Sequence, residues 1–141
     1  MQNRMMNCVI TGGYVSIPVL NSSAGCGVGS PFDDGQRYEM LMDAVVKGLK
    51  NPCGIYIHGD SMMPTISDGD MVIVDADTVP AWLDGRIIAC NLNGEIIVKR
   101  MRQQNYSIFL YSDNINYPRI KISDTDNFNI IGVVSRMYRE L

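Results

Sequence analysis

A chain of 141 residues has the length of one domain, enough to enclose a core and too little for a catalytic domain beside a second sizeable module. Its net charge of -3 and pI near 5.0 argue against a dedicated nucleic-acid surface, because holding phosphates takes clustered Lys and Arg. Four cysteines, Cys8, Cys26, Cys53 and Cys90, form no Cys-x-x-Cys pair and share the chain with one histidine, so reduced thiols and no metal site are expected.

Residues 1–13, MQNRMMNCVITGG, carry little periodicity and no apolar core of a secretory signal; they read as a flexible lead or linker stub. No apolar run reaches the length of a membrane span, so the expected location is the cytoplasm. Residues 14–33 hold a short extended run, YVSIPVL, and then NSSAGCGVGSPFDDG, whose Gly, Ser and Asp content predicts an exposed loop. From 34 to 49, Tyr38, Leu41, Met42, Val45, Val46 and Leu49 recur at three and four, which predicts one amphipathic helix ending near Gly48 and Pro52. Beyond it come short β-branched runs at 55–57, 71–74, 86–91, 95–100, 107–111, 119–122 and 129–138. Asp68-Gly69-Asp70, Asp84-Gly85, Asn93-Gly94 and Asp113-Asn114 punctuate them. The expected fold is mainly β, a compact domain over 34–141 preceded by one short amphipathic helix.

The densest chemical signal is HGDSMMPTISDGDMVIVD. Ser61 follows a strand-like run and precedes Met-Met-Pro, where the chain must turn; such a turn lifts a hydroxyl off a sheet and leaves the N–H groups of Ser61 and Asp60 free to receive an oxyanion. A serine needs a base. His58, the only histidine, lies at an odd offset from Ser61 in a run that reads as a strand, which turns the two side chains to opposite faces. Of the four lysines, Lys47 and Lys50 fall off the apolar face of the expected helix, and Lys121 alternates with Ile120 and Ile122 toward water. Lys99 shares its strand face with Ile97, where desolvation would lower its pKa and leave a neutral amine able to accept the Ser61 proton. On the residues alone, a lysine snorkelling to the surface competes with that reading.

GDSMMPTISDGDMVIVD, then DGRIIACNLNGEIIVKR, then LYSDNINYPRI and finally IIGVVSR resemble, in that order, the LexA-like and UmuD-like self-cleaving serine peptidases, which include the C-terminal domains of phage repressors. The resemblance covers the chain from Tyr14 onward, with Gly59, Met62, Pro64, Gly69 and Asp70 supporting the serine motif. It implies a strongly curved β domain, Ser61 as nucleophile, Lys99 as general base, and hydrolysis of one bond in the chain's own upstream loop. Ala24-Gly25 is the expected bond and Cys26-Gly27 the alternative; a small residue followed by glycine suits a narrow groove.

Two departures from the family stand out. Several relatives carry a threonine two residues before the lysine, where this chain has Ile97, so the hydroxyl that would orient the amine is missing there. Repressors of the family also join the peptidase to a helix-turn-helix domain, and nothing before Tyr14 reads as one; an excised C-terminal domain and a complete UmuD-like chain are both open. The resemblance further implies a homodimer built partly through the strand at 129–138, a RecA filament on single-stranded DNA as activator, DNA contact only through a helix-turn-helix domain, no membrane and no cofactor. The competing readings are a type I signal-peptidase-like enzyme and a catalytically silent dimerisation module of a repressor.

Overall fold

The β-branched runs become strands wherever a neighbour can complete their ladders. The computed structural model describes residues 13–20, 36–76 and 78–141. Nine strands, β1 Tyr14–Val19, β2 Arg37–Met42, β3 Pro52–Tyr56, β4 Met71–Asp75, β5 Ile87–Leu92, β6 Glu95–Gln104, β7 Ser107–Tyr111, β8 Ile120–Lys121 and β9 Phe128–Tyr138, form one sheet ordered β2-β1-β3-β4-β9-β5-β6-β7-β8. All its pairings are antiparallel except the short β1–β3 contact at Val19 and Gly54. Asn93 (φ 54) and Gly94 (φ 91) make the two-residue turn between β5 and β6 that their sequence announces. Among the described residues, no helix is long and apolar enough to cross a membrane.

The amphipathic helix expected over 34–49 is absent from its described part. Arg37–Met42 is a strand paired along its whole length with β1, and only Asp43–Val46 turns, as a short 3-10 segment. Over six residues the periods 2 and 3.6 cannot be told apart, and a partner strand decides between them. Leu41 and Val46 still reach a core cluster with Ile17, Met71 and Ile73, whereas Tyr38, Met40 and Met42 face outward. Of the six residues whose spacing suggests a helix, only Leu41 and Val46 are fully buried.

The terminal strand β9 lies inside the sheet, not at its edge. Phe128–Val133 pairs with β5 and Val134–Tyr138 with β4, so β9 changes partner midway and bends the sheet on itself. Gly132 stands at that bend: a Cβ there would lie 2.8 Å from the Asp75 carbonyl oxygen, a backbone clash that no side-chain movement relieves. Two further clusters complete the interior beside the one that holds Leu41 and Val46. Leu20, Ile55, Met62, Val72 and Val98 fill one; Ile88, Cys90, Met101, Leu110 and Val133 fill the other.

Candidate active site

Ser61 occupies the turn after β3, as its sequence suggests. Met62 anchors that turn, only 1% exposed in the core. Two backbone bonds shape it, Met63 N–H to Asp60 O at 3.1 Å and Ile66 N–H to Met62 O at 2.9 Å. Gly59 enters it with φ +86, a conformation that a side chain would strain, and donates its N–H to Asp68 Oδ1 at 2.7 Å. Among the described residues, the amides of Asp60 and Ser61 donate no hydrogen bond to another backbone group.

The far end of the turn is held by charge. Buried Asp70 accepts from Arg139 Nε at 2.7 Å, from Arg139 Nη2 at 2.6 Å and from the Ser67 amide at 2.8 Å. Arg139's hydrogen bonds hold the Asp70 carboxyl below its ordinary 3.8 against the opposing effect of burial, and the Ser67 amide adds to the lowering. Arg139→Ala is expected to lower stability at neutral pH, by less than the loss of a fully buried pair would, because the arginine side chain is 42% exposed and screened by solvent. A depressed folded pKa means the stabilisation is complete above 3.8 and lost as pH falls through the lower folded value. Urea titrations should therefore separate wild type from variant at pH 7 and bring them together in acid; a constant gap would disprove the linkage.

Lys99 is half-buried on β6, on the face that also carries Ile97 and Met101. Burial pushes its pKa below 10.5. The only opposing influence is the Cys90 thiol, which burial itself raises to about 12, so no thiolate stands beside the amine at working pH. Lys99 Nζ donates to Ser112 Oγ at 2.7 Å and lies 5.7 Å from the centroid of the Tyr117 ring. The β6–β7 register explains the first contact: Arg100 pairs with Tyr111, so Ser112 comes opposite Lys99 just where the ladder ends.

One loop, 112–118, ties the serine turn to the lysine strand. Asn114 donates its amide to Ser61 O at 3.0 Å and its side chain to Asp60 O at 3.0 Å, and Tyr117 Oη donates to Asp60 Oδ1. Asp113 accepts both Arg100 Nε (2.9 Å) and Nη2 (2.8 Å), and Thr65 Oγ1 at 2.6 Å. That guanidinium fork keeps the Asp113 carboxyl below the usual carboxylate range. Serine turn, lysine strand and loop are thereby fixed to one another by charge-assisted bonds.

Ser61 and Lys99 line one cleft of about 470 Å³, within the range of small-ligand and peptide sites. Ile96 and Val98 form part of its wall, and Val19 and Leu20 enter it from β1. Leu20 is 9% exposed in the core cluster and donates its amide to Gly54 O at 2.8 Å. His58 also lines the cleft, exposed and two residues beyond the end of β3; the strand-parity argument against it does not apply, because the strand has already ended. The loop bonds Ala24-Gly25 and Cys26-Gly27 lie outside the described residues. Ser112 was missed in the sequence because its meaning depends on a cross-strand register; the motif LYSDN held the hydroxyl without saying what it faces.

Comparison with known proteins gives consistent matches. The Peptidase S24-like family profile matches residues 18–135. A LexA repressor of Oleidesulfovibrio alaskensis is 32% identical over 123 residues, 85% of this chain and 57% of that protein. LexA repressor 2 of Pseudomonas putida is 31% identical over 129 residues, 89% of this chain and 61% of that protein. LexA repressor 2 of Pseudomonas syringae pv. tomato is 28% identical over 145 aligned positions, 96% of this chain and 66% of that protein. The chain thus spans about six-tenths of the length of these relatives.

Proposed function

The chain belongs to the Peptidase S24-like family, and on that premise we propose that it is the self-cleaving peptidase domain of a LexA-like regulator, with Ser61 as nucleophile and Lys99 as general base. The observation that supports this reading is the shared cleft: a serine on a constrained turn, a desolvated lysine and Val19 and Leu20 of the chain's own upstream segment all line it.

The chemistry follows from those positions. Neutral Lys99 takes the Ser61 proton as Oγ attacks the carbonyl carbon of Ala24. The amides of Ser61 and Asp60 receive the oxyanion. The Lys99 ammonium returns the proton to the Gly25 nitrogen, the Ala24–Gly25 bond breaks, and an acyl-enzyme remains on Ser61. Water, deprotonated by the regenerated amine, releases it. Ala24 lies four positions after Leu20, a span that extended chain covers in about 13 Å, so attack within one molecule is compatible with Leu20 lining the cleft. Cys26-Gly27 is the alternative bond two residues further on.

A homodimer fits the terminal strand, since the side of Val134–Tyr138 away from β4 has no strand partner among the described residues. A RecA filament as activator and a DNA-binding segment elsewhere in the protein belong to the same reading. Incubating the purified chain at pH 9 and following intact mass should yield two fragments that separate at Ala24-Gly25 and are absent from Ser61→Ala. A chain that stays whole under all activating conditions would favour the silent dimerisation module instead.

A further inference from the structure

Ile97 leaves β6 without the hydroxyl that several relatives place two residues before the lysine, yet the Lys99 amine is not without one. Ser112 Oγ lies 2.7 Å from Lys99 Nζ, delivered from the neighbouring strand where the β6–β7 ladder ends. We infer that Ser112 is the positioning residue of the reaction, fixing the amine of Lys99 so that its lone pair points at the Ser61 hydroxyl; this rests on the dyad reading above.

A lysine amine at the end of four single bonds samples many rotamers, and only a few of them present the lone pair to a fixed neighbour. In the neutral amine one N–H donated to Ser112 Oγ restricts rotation about Cε–Nζ, with the Tyr117 ring centroid 5.7 Å away. Ser112 holds its own proton throughout, while the transferred proton passes from Ser61 Oγ to Lys99 and on to the leaving nitrogen. Ser112 is itself held, since the next two residues, Asp113 and Asn114, bind Arg100, Thr65 and the Ser61 carbonyl. The hydroxyl that relatives carry on the lysine's own strand is here supplied across the ladder. Ile97 lines the same cleft, so either strand can present it.

The titratable groups that face Lys99 are Cys90 on β5 and Tyr117 in the loop, with Arg37, Tyr56, His58 and Glu95 elsewhere on the cleft wall. A hydroxyl that accepts from Lys99 favours the ammonium over the amine, so deleting it should move the cleavage profile to lower pH. A purely structural Ser112 would give that shift alone. A positioning Ser112 also sets the rate on the alkaline plateau, where every molecule already carries the neutral amine.

The test is the first-order self-cleavage rate from pH 7 to 10.5 for wild type, Ser61→Ala, Ser112→Ala, Ser112→Thr and Ser112→Ala/Ile97→Thr, with thermal melts to verify folding. The expected result is a plateau lowered roughly 10- to 100-fold in Ser112→Ala, recovered by Ser112→Thr and, from the other strand, by the Ile97→Thr double variant. A Ser112→Ala plateau within twofold of wild type, or a loss that Ser112→Thr does not recover, overturns the inference and leaves the dyad standing. No cleavage in wild type, or cleavage that survives in Ser61→Ala, overturns the dyad and this inference with it.

Discussion

Replacing Lys99 by methionine should slow self-cleavage by about 10²- to 10⁴-fold, the usual worth of a general base, and at the same time raise the stability of the fold at pH 7. The two effects share one cause. Burial lowers the lysine's folded pKa below its unfolded value of 10.5. Between those two values the unfolded chain binds more protons than the folded one, so wild-type stability rises with pH across that window. Below the folded value the cost of desolvating the ammonium is borne in full. Methionine keeps the stem's length and removes the charge, so its advantage should be largest at neutral pH and shrink toward pH 10.5. Melting temperatures of wild type and Lys99→Met at pH 7 and pH 10 measure it, and the cleavage rate of wild type should climb through the same folded pKa before levelling. A variant that still cleaves would mean that the amine is not the base, and one that melts lower than wild type at pH 7 would mean that burying the ammonium carries no net cost.

Leu20→Asp is the second substitution with a large expected effect, and it acts on presentation and not on chemistry. Leu20 lines the cleft and shares a core cluster with Ile55, Ile57 and Met62, 9% exposed, four positions before Ala24 of the expected bond. Removing that burial costs about 2–3 kcal/mol, and a carboxylate cannot remain among those side chains without a partner. The end of β1 should therefore leave the cleft and take the loop's entry point with it. Self-cleavage is expected to fall by about 100-fold. A small fluorophosphonate reagent should still label Ser61 at the wild-type rate, because the Ser61 turn, the Lys99 strand and the 112–118 loop are joined by bonds that do not involve Leu20. Unchanged self-cleavage would refute the anchoring role; loss of labelling would mean that Leu20 supports the nucleophile itself.

Much of the β architecture was legible because it depends on short-range chemistry. Asn93-Gly94 adopts the two positive φ values its residue types favour, and Gly69 and Gly85 take positive φ at the turns their neighbours announced. β4 and β7 match the expected runs at 71–74 and 107–111 to within a residue. The stretch at 37–46 is misleading for the opposite reason: its apolar spacing satisfies a helix and a strand alike, and β1, whose paired residues lie eighteen or more positions upstream, makes the choice.

The sequence by itself determined the turns, most strands beyond residue 52, Ser61 on its turn and Lys99 on an apolar strand face, since each depends on residue type and on neighbours a few positions away. Only the tertiary structure decided that β2 is a strand, that β9 bends between two partners at Gly132, that Leu20 enters the cleft, and that Ser112 meets Lys99. Those four facts are pairings between residues distant in the chain, and a register shifted by one would turn Ser112 to the other face. No pattern within either segment carries that information, because the register is fixed by the sum of contacts along both strands and not by any residue in one of them.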